Sequence, residues 1–111
     1  MGQKFTPASA TINLIKSYLA NKQPTKAFDE VCDTIDWWCR DGDFDDVEDL
    51  LNEIAHSNLP LDLKTSALIN SKAYKPFLHK DARTSLLRSV LKETYYLKDI
   101  KKVALVIKHY R

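Results

Sequence analysis

AFDEVCDTIDWWCRDGDFDDVEDLLNEI, residues 27–54, decides how the rest of the chain is read. Ala27, Phe28, Val31, Cys32, Ile35, Trp38 and Cys39 recur three and four apart, the spacing of one helical face. Asp29, Glu30, Asp33 and Asp36 fall on or beside the other face. Phe44, Val47, Leu50, Leu51 and Ile54 repeat the pattern after Asp41-Gly42-Asp43. Gly42 suits the left-handed residue that ends a helix, and Asp41 or Asp43 suits the cap of the next. Asp45 and Asp46 suit the positive end of its dipole. The stretch therefore predicts two acidic amphipathic helices joined by a tight turn.

Working outward, Thr6-Pro7 predicts a helix start, with Thr as N-cap and Pro at the first helical position. Ile12, Ile15, Tyr18 and Leu19 then share a face, and the helix should end near Asn21. The helix bearing Phe28 should begin at Pro24 or Thr25. Ser57-Asn58 closes the helix after Gly42, and Leu59-Pro60 opens a short one over 62–71 with Leu63, Ala67 and Leu68 inward. A connector over 72–79 holds Tyr74, Pro76 and Phe77. A fifth helix over 81–96 lines up Ala82, Leu86, Leu87, Val90, Leu91 and Thr94. In 98–110, Ile100, Val103, Ala104 and Ile107 are at helical spacing, although residues 103–107 also read as a strand. With no other strand to pair with, helix is the expectation.

The 111 residues suit a single domain, 1–111, with a loose N-terminus over 1–6. Two glycines and four prolines are too few for a strand-rich fold, whose turns consume both. With 44% apolar and 29% charged residues the composition is that of a globular chain. The fold class expected is all-α: five or six helices in antiparallel hairpins, as a bundle or a short solenoid-like stack. Its core should contain Ile15, Leu19, Phe28, Val31, Ile35, Val47, Leu51, Ile54, Leu68, Leu87, Val90 and Leu91.

The net charge of +2 conceals a division. Residues 1–71 hold six Lys/Arg and twelve Asp/Glu, a net of −6. Residues 72–111 hold eleven Lys/Arg and three Asp/Glu, a net of +8. The halves either attract each other across the fold and solvate their helix faces, or offer two faces to two kinds of partner. Cys32 and Cys39 share a face but stand roughly 10 Å apart along a helix, too far for a disulfide. Free thiols and the absence of a signal-peptide pattern or membrane-length apolar run lead to the expectation of a cytoplasmic protein.

Motifs for chemistry are thin. Taking Gly42 as the sixth position of a calcium loop puts Glu48 at the twelfth. The first and third positions would then be Trp37 and Cys39, which supply no carboxylate. His56, His79 and His109 stand apart, with no paired Cys or His spacing for zinc. No glycine-rich phosphate loop and no nucleophile elbow occur. No cofactor, no metal and no catalytic residue is assigned, and the expectation is that the chain is not an enzyme. Met1-Gly2 with Thr6 fits the N-myristoylation pattern, which by itself anchors weakly.

An echo runs through the centre. Phe28-Asp29-Glu30-Val31 recurs sixteen residues later as Phe44-Asp45-Asp46-Val47. Gly42, Phe44, Val47, Leu50 and Leu51 form Gly-x-Phe-x-x-Val-x-x-Leu-Leu, which resembles the helix-turn-helix units of tetratricopeptide or HEAT-type repeats. Leu59, Pro60 and Leu63 resemble the opening of a following hairpin. The resemblance covers about 40 residues, and the tetratricopeptide Trp…Leu-Gly…Tyr pattern and a strict period are absent. It implies a right-handed stack of hairpins with a protein-binding surface, and carries over no functional residue.

The function expected is a small adaptor or regulator that binds another protein through an acidic hairpin surface at Asp33, Asp36, Trp37, Asp41 and Asp45. Trp37 falls off the main stripe. It either covers a neighbouring helix or stands in solvent, where an aromatic ringed by charge has the composition of a binding hot spot. Such a surface also suits a nucleic-acid mimic that occupies a partner's basic groove. The alternative is direct nucleic-acid binding through Lys98, Lys101, Lys102 and Lys108. Lys72, Lys75, Lys80, Arg83 and Arg88, which alternate with Tyr74, Phe77 and His79, extend that basic set. A pI near 8.5 is low for such a role. A homodimer through an exposed helical stripe is a further expectation.

Overall fold

A computed structural model describes residues 6–96 together with Lys101, Ala104 and Lys108. Five α-helices follow in order: α1 (Pro7–Ala20), α2 (Pro24–Arg40), α3 (Phe44–Ala55), α4 (Leu61–Ser71) and α5 (Lys80–Tyr96). A 3-10 turn, Lys72–Phe77, links α4 to α5. No strand occurs among the described residues. The expected all-α class is what forms, with the five described helices within about two residues of their expected bounds.

The ends of the helices explain the shortness of the links. Thr6 caps α1: its Oγ1 accepts the Ser9 N–H at 3.1 Å, while the Thr6 N–H donates to Ser9 Oγ at 3.0 Å. That reciprocal box fixes the start and leaves Thr6 ordered rather than loose. Residues 1–5 lie outside the described ones. At the end of α2, Gly42 takes φ +80°. Its N–H reaches the Cys39 carbonyl at 3.2 Å and the Asp43 N–H reaches that of Trp38 at 2.8 Å. These two bonds are a Schellman motif. Asp43 then holds the N-cap position of α3, but its side chain makes no capping bond, so the side-chain cap expected there does not form.

The end of α1 is built the same way without a glycine. Lys22 takes φ +59°, its N–H reaching Leu19 O at 3.1 Å and the Gln23 N–H reaching Tyr18 O at 2.8 Å. Both links thus turn the chain back in three residues.

Packing follows a ring. Going round it, α1 lies against α2, α2 against α4, α4 against α5, α5 against α3, and α3 back against α1. The consecutive pairs α2–α3 and α3–α4 touch less than these. Viewed in layers, α1, α3 and α5 form one row and α2 and α4 the other. One cluster fills the middle: Ile12, Ile15, Val31, Ile35, Val47, Leu50, Leu51, Ile54, Leu63, Leu68, Leu86 and Val90 are all buried. Of the expected core, Leu19, Phe28, Leu87 and Leu91 are half-buried and pack on its rim; the others are buried.

Two charged side chains are also buried. Arg83, 2% exposed, donates from Nε to Ser71 Oγ at 3.0 Å and from a terminal nitrogen to the Leu68 carbonyl at 2.9 Å. It ties off the end of α4, so it does not belong to the exposed basic set in which the sequence placed it. Lys64, also 2% exposed, meets Glu93 of α5 at 2.7 Å. Lys101, Ala104 and Lys108 are helical and exposed; the remainder of 98–110 lies outside the described residues. Among the described residues no helix is long and apolar enough to cross a membrane.

Candidate functional site

The acidic hairpin surface is built on the outer face of α2. The stripe Ala27, Val31, Ile35 and Cys39 faces the core. Trp38, next to the stripe, lies half-buried against it, so the neighbouring ring of Trp37 is left pointing away. Trp37 is 64% exposed, the largest exposure of any large hydrophobic side chain among the described residues. The alternative of burial against α1 or α4 is not taken.

A shallow groove of about 380 Å³ runs beside it, lined by Glu30, Asp33, Thr34, Asp36, Trp37 and Trp38. Of the five residues expected to act together, Asp33, Asp36 and Trp37 line this groove. Asp41 follows Trp37 by one helical turn and is exposed. Asp45 is exposed on the first turn of α3, beyond the link. Neither lines the groove. Glu30 and Thr34 were missed, although Glu30, Asp33, Thr34 and Trp37 repeat at three, four and seven, a legible stripe. Thr34 Oγ1 donates to Glu30 Oε2 at 3.2 Å.

Asp36 differs from its acidic neighbours because it is already engaged. Its Oδ1 accepts the Tyr74 hydroxyl at 2.9 Å, and Oδ2 faces Arg40 at 3.1 Å. The bond to this carboxylate raises the pKa of Tyr74 above the ordinary tyrosine value, with desolvation and the charge of Asp36 adding to it. Burial, helped by the charge of Asp36, pushes the Cys39 thiol up to about 11. A thiol so raised is no nucleophile near neutral pH.

Tyr74 arrives on the 3-10 turn, which clasps this end of the molecule at a second point. Phe77 stacks on Phe44 with ring centroids 5.3 Å apart and planes 10° from parallel, and is itself 60% exposed. Nothing local in the sequence signals these pairings, which join residues more than thirty positions apart. Beneath them Cys32 is held between α2 and α4: Asn70 Nδ2 donates to its sulfur at 3.0 Å, and Ser66 Oγ lies 3.3 Å away. Both cysteines are free. Among the described residues no three His, Cys, Asp or Glu side chains gather as a metal site.

Of the basic residues, Lys101 and Lys108 are seven apart and exposed, while Lys98 and Lys102 lie outside the described residues. No family model, no curated protein and no solved structure matches the chain.

Proposed function

We propose that the chain is a non-enzymatic interaction module that receives a cationic segment of a partner protein on the Trp37 face of α2. The observation that carries this is the exposure of Trp37, 64%, on the wall of an acidic groove. An arginine-bearing segment finds there a ring for cation–π contact and carboxylates for bidentate hydrogen bonds. Asp33 and Asp41 stand one turn on either side of Trp37 and, among the described residues, their carboxylates hold no hydrogen bond or ion pair, whereas Asp36 is braced by Tyr74 and Arg40. The same surface suits a groove in the partner that otherwise takes nucleic acid, which would make the chain a mimic. The two free thiols support a cytoplasmic setting.

The test is capture from the host's lysate, split into nuclease-treated and untreated halves, with the natural chain and Trp37→Ala side by side. The expected result is a partner protein recovered from both halves with the natural chain. Trp37→Ala should lose it, with a melting temperature within a few degrees of the parent because no core contact is removed. Hot-spot aromatics of this kind contribute about 2 kcal/mol or more to binding, roughly thirtyfold in Kd. Equal recovery by Trp37→Ala would overturn the reading.

A second reading, nucleic-acid binding by the C-terminal basic residues, draws support from the exposure of Lys101 and Lys108, seven residues apart. Recovery that vanishes with nuclease would favour it, and Lys101→Glu with Lys108→Glu should then reduce both binding and its salt dependence.

A further inference from the structure

A second recess lies on a different seam, where the C-terminal end of α3 meets α4 and α5. It is an open cleft of about 470 Å³. Its α5 wall is one stripe, Ser85, Arg88, Ser89 and Lys92, at intervals of three and four. Its floor holds the buried Lys64, whose Nζ donates to Ser89 Oγ at 3.0 Å and to Glu93 at 2.7 Å. Among the lining residues three are fixed cations and one, Glu93, is an anion. The lining therefore carries +2, within an acidic half of the chain on the α3 and α4 sides.

Lys64 is the informative residue. Lys64, Ala67, Leu68 and Ser71 occupy one buried helical stripe, so an aliphatic side chain at 64 would continue it without desolvating a charge. The charge is compensated by a carboxylate whose own side chain is 37% exposed. An ammonium has three protons, and among the described residues Ser89 and Glu93 take two. Arg88 and Lys92, at i and i+4, repel each other unless an anion lies between them. His56 stands at the rim: its Nδ1 donates to the Asn52 carbonyl at 2.8 Å, which leaves Nε2 as the ring's second polar atom.

We propose that this cleft binds the phosphate of a small phosphomonoester. A guanidinium, two ammonium groups and serine hydroxyls lining one cleft suit a tetrahedral dianion. The charge of the lining matches that dianion. The cleft is open on one side, which leaves the group esterified to the phosphate in solvent. Glu93 tunes the site: it holds Lys64 in place and, as the one carboxylate of the lining, limits how tightly an anion is held. The proposal is independent of the Trp37 surface.

The experiment is a titration of the full chain with inorganic phosphate and then a nucleoside monophosphate at constant ionic strength, followed by amide NMR shifts. A saturable response should centre on Lys64, Arg88, Ser89 and Lys92, with the nucleotide binding at least as tightly as phosphate. Arg88→Gln with Lys92→Gln, both exposed and away from the core, should weaken binding by about tenfold or more, the loss expected for charged hydrogen bonds. Lys16→Gln with Lys26→Gln, an identical charge change on exposed positions of α1 and α2, should leave it unchanged. Glu93→Gln keeps an acceptor for Lys64 and should tighten it. The proposal fails if nothing saturates below about 10 mM, far weaker than a useful site. It fails equally if the α1/α2 control loses as much, or if an oligonucleotide or a phosphoserine peptide binds where both small ligands do not.

Discussion

Asp36 shows how one side chain settles the character of its surroundings. It accepts the Tyr74 hydroxyl, holds Arg40, and adds to the burial that keeps the Cys39 proton on sulfur. The pH dependence follows in sign. An unfolded thiol ionises around its ordinary 9.0, whereas folded Cys39 holds its proton to about 11. Between these values the native state binds the extra proton, so its stability is full below pH 9 and declines as pH rises toward 11. Tyr74, also raised, pulls in the same direction. Melting temperatures measured from pH 8 to 10.5 should therefore fall, and Cys39→Ala should flatten part of that slope relative to its own value at pH 8. In the native protein at pH 8, alkylation of Cys39 should be slow and should become rapid on adding denaturant. An equally steep slope in Cys39→Ala would assign the effect elsewhere.

At the scale of elements, the two three-residue links are a matched pair with unmatched residues. Each is a Schellman turn, yet one places glycine in the left-handed position and the other places Lys22 there at φ +59°. A residue with a Cβ pays about 1–2 kcal/mol for that conformation, partly offset in glycine by chain entropy. Lys22→Gly should thus stabilise the protein by up to about 1 kcal/mol, and Gly42→Ala should destabilise it by about as much, since no neighbour crowds the added Cβ and strain alone acts. Urea unfolding of the two variants reads both; a loss of stability in Lys22→Gly would contradict the account. The pair also marks what could be read beforehand. Gly42 announces its turn by its identity, and so do Thr6-Pro7 and the stripes of Val31, Ile35, Val47, Leu51 and Ile54, because local chemistry dictates them. Lys22 announces nothing, since lysine has no preference for that backbone. The preference of α2 for α4, the Tyr74–Asp36 bond and the Phe44–Phe77 stack are invisible for another reason: they depend on which distant surfaces meet, and no spacing encodes that. Lys64 lies between the cases. Its place on an apolar stripe is legible as an oddity, but its partner, twenty-nine residues on, is not.

Across the whole molecule the question is whether the −6 and +8 halves hold each other together. The contacts argue that they do so little. The ring of five helices closes around aliphatic side chains. Lys64–Glu93 is one ion pair that joins the halves, and in it the cation comes from the acidic half and the anion from the basic one; Arg40–Asp36 lies within one helix and is largely exposed. Exposed pairs contribute only about 0–1 kcal/mol and fade with salt, whereas burial of apolar area does not. Raising sodium chloride from about 0.05 to 0.5 M shortens the screening length from about 14 to 4 Å. The melting temperature should move by only a few degrees over that range. The binding proposed at the Trp37 groove and in the Lys64 cleft should weaken over it in both cases, since each would hold a charged ligand across solvent. If instead salt lowered the melting temperature as steeply as it lowered binding, the charge division would be part of the folding energy. The groove and the cleft would then be two ends of one internal attraction. The placement of Trp37 argues for the first outcome: an aromatic ring 64% exposed among carboxylates adds nothing to the core, so loss of salt-sensitive binding there, as proposed, would leave the fold intact.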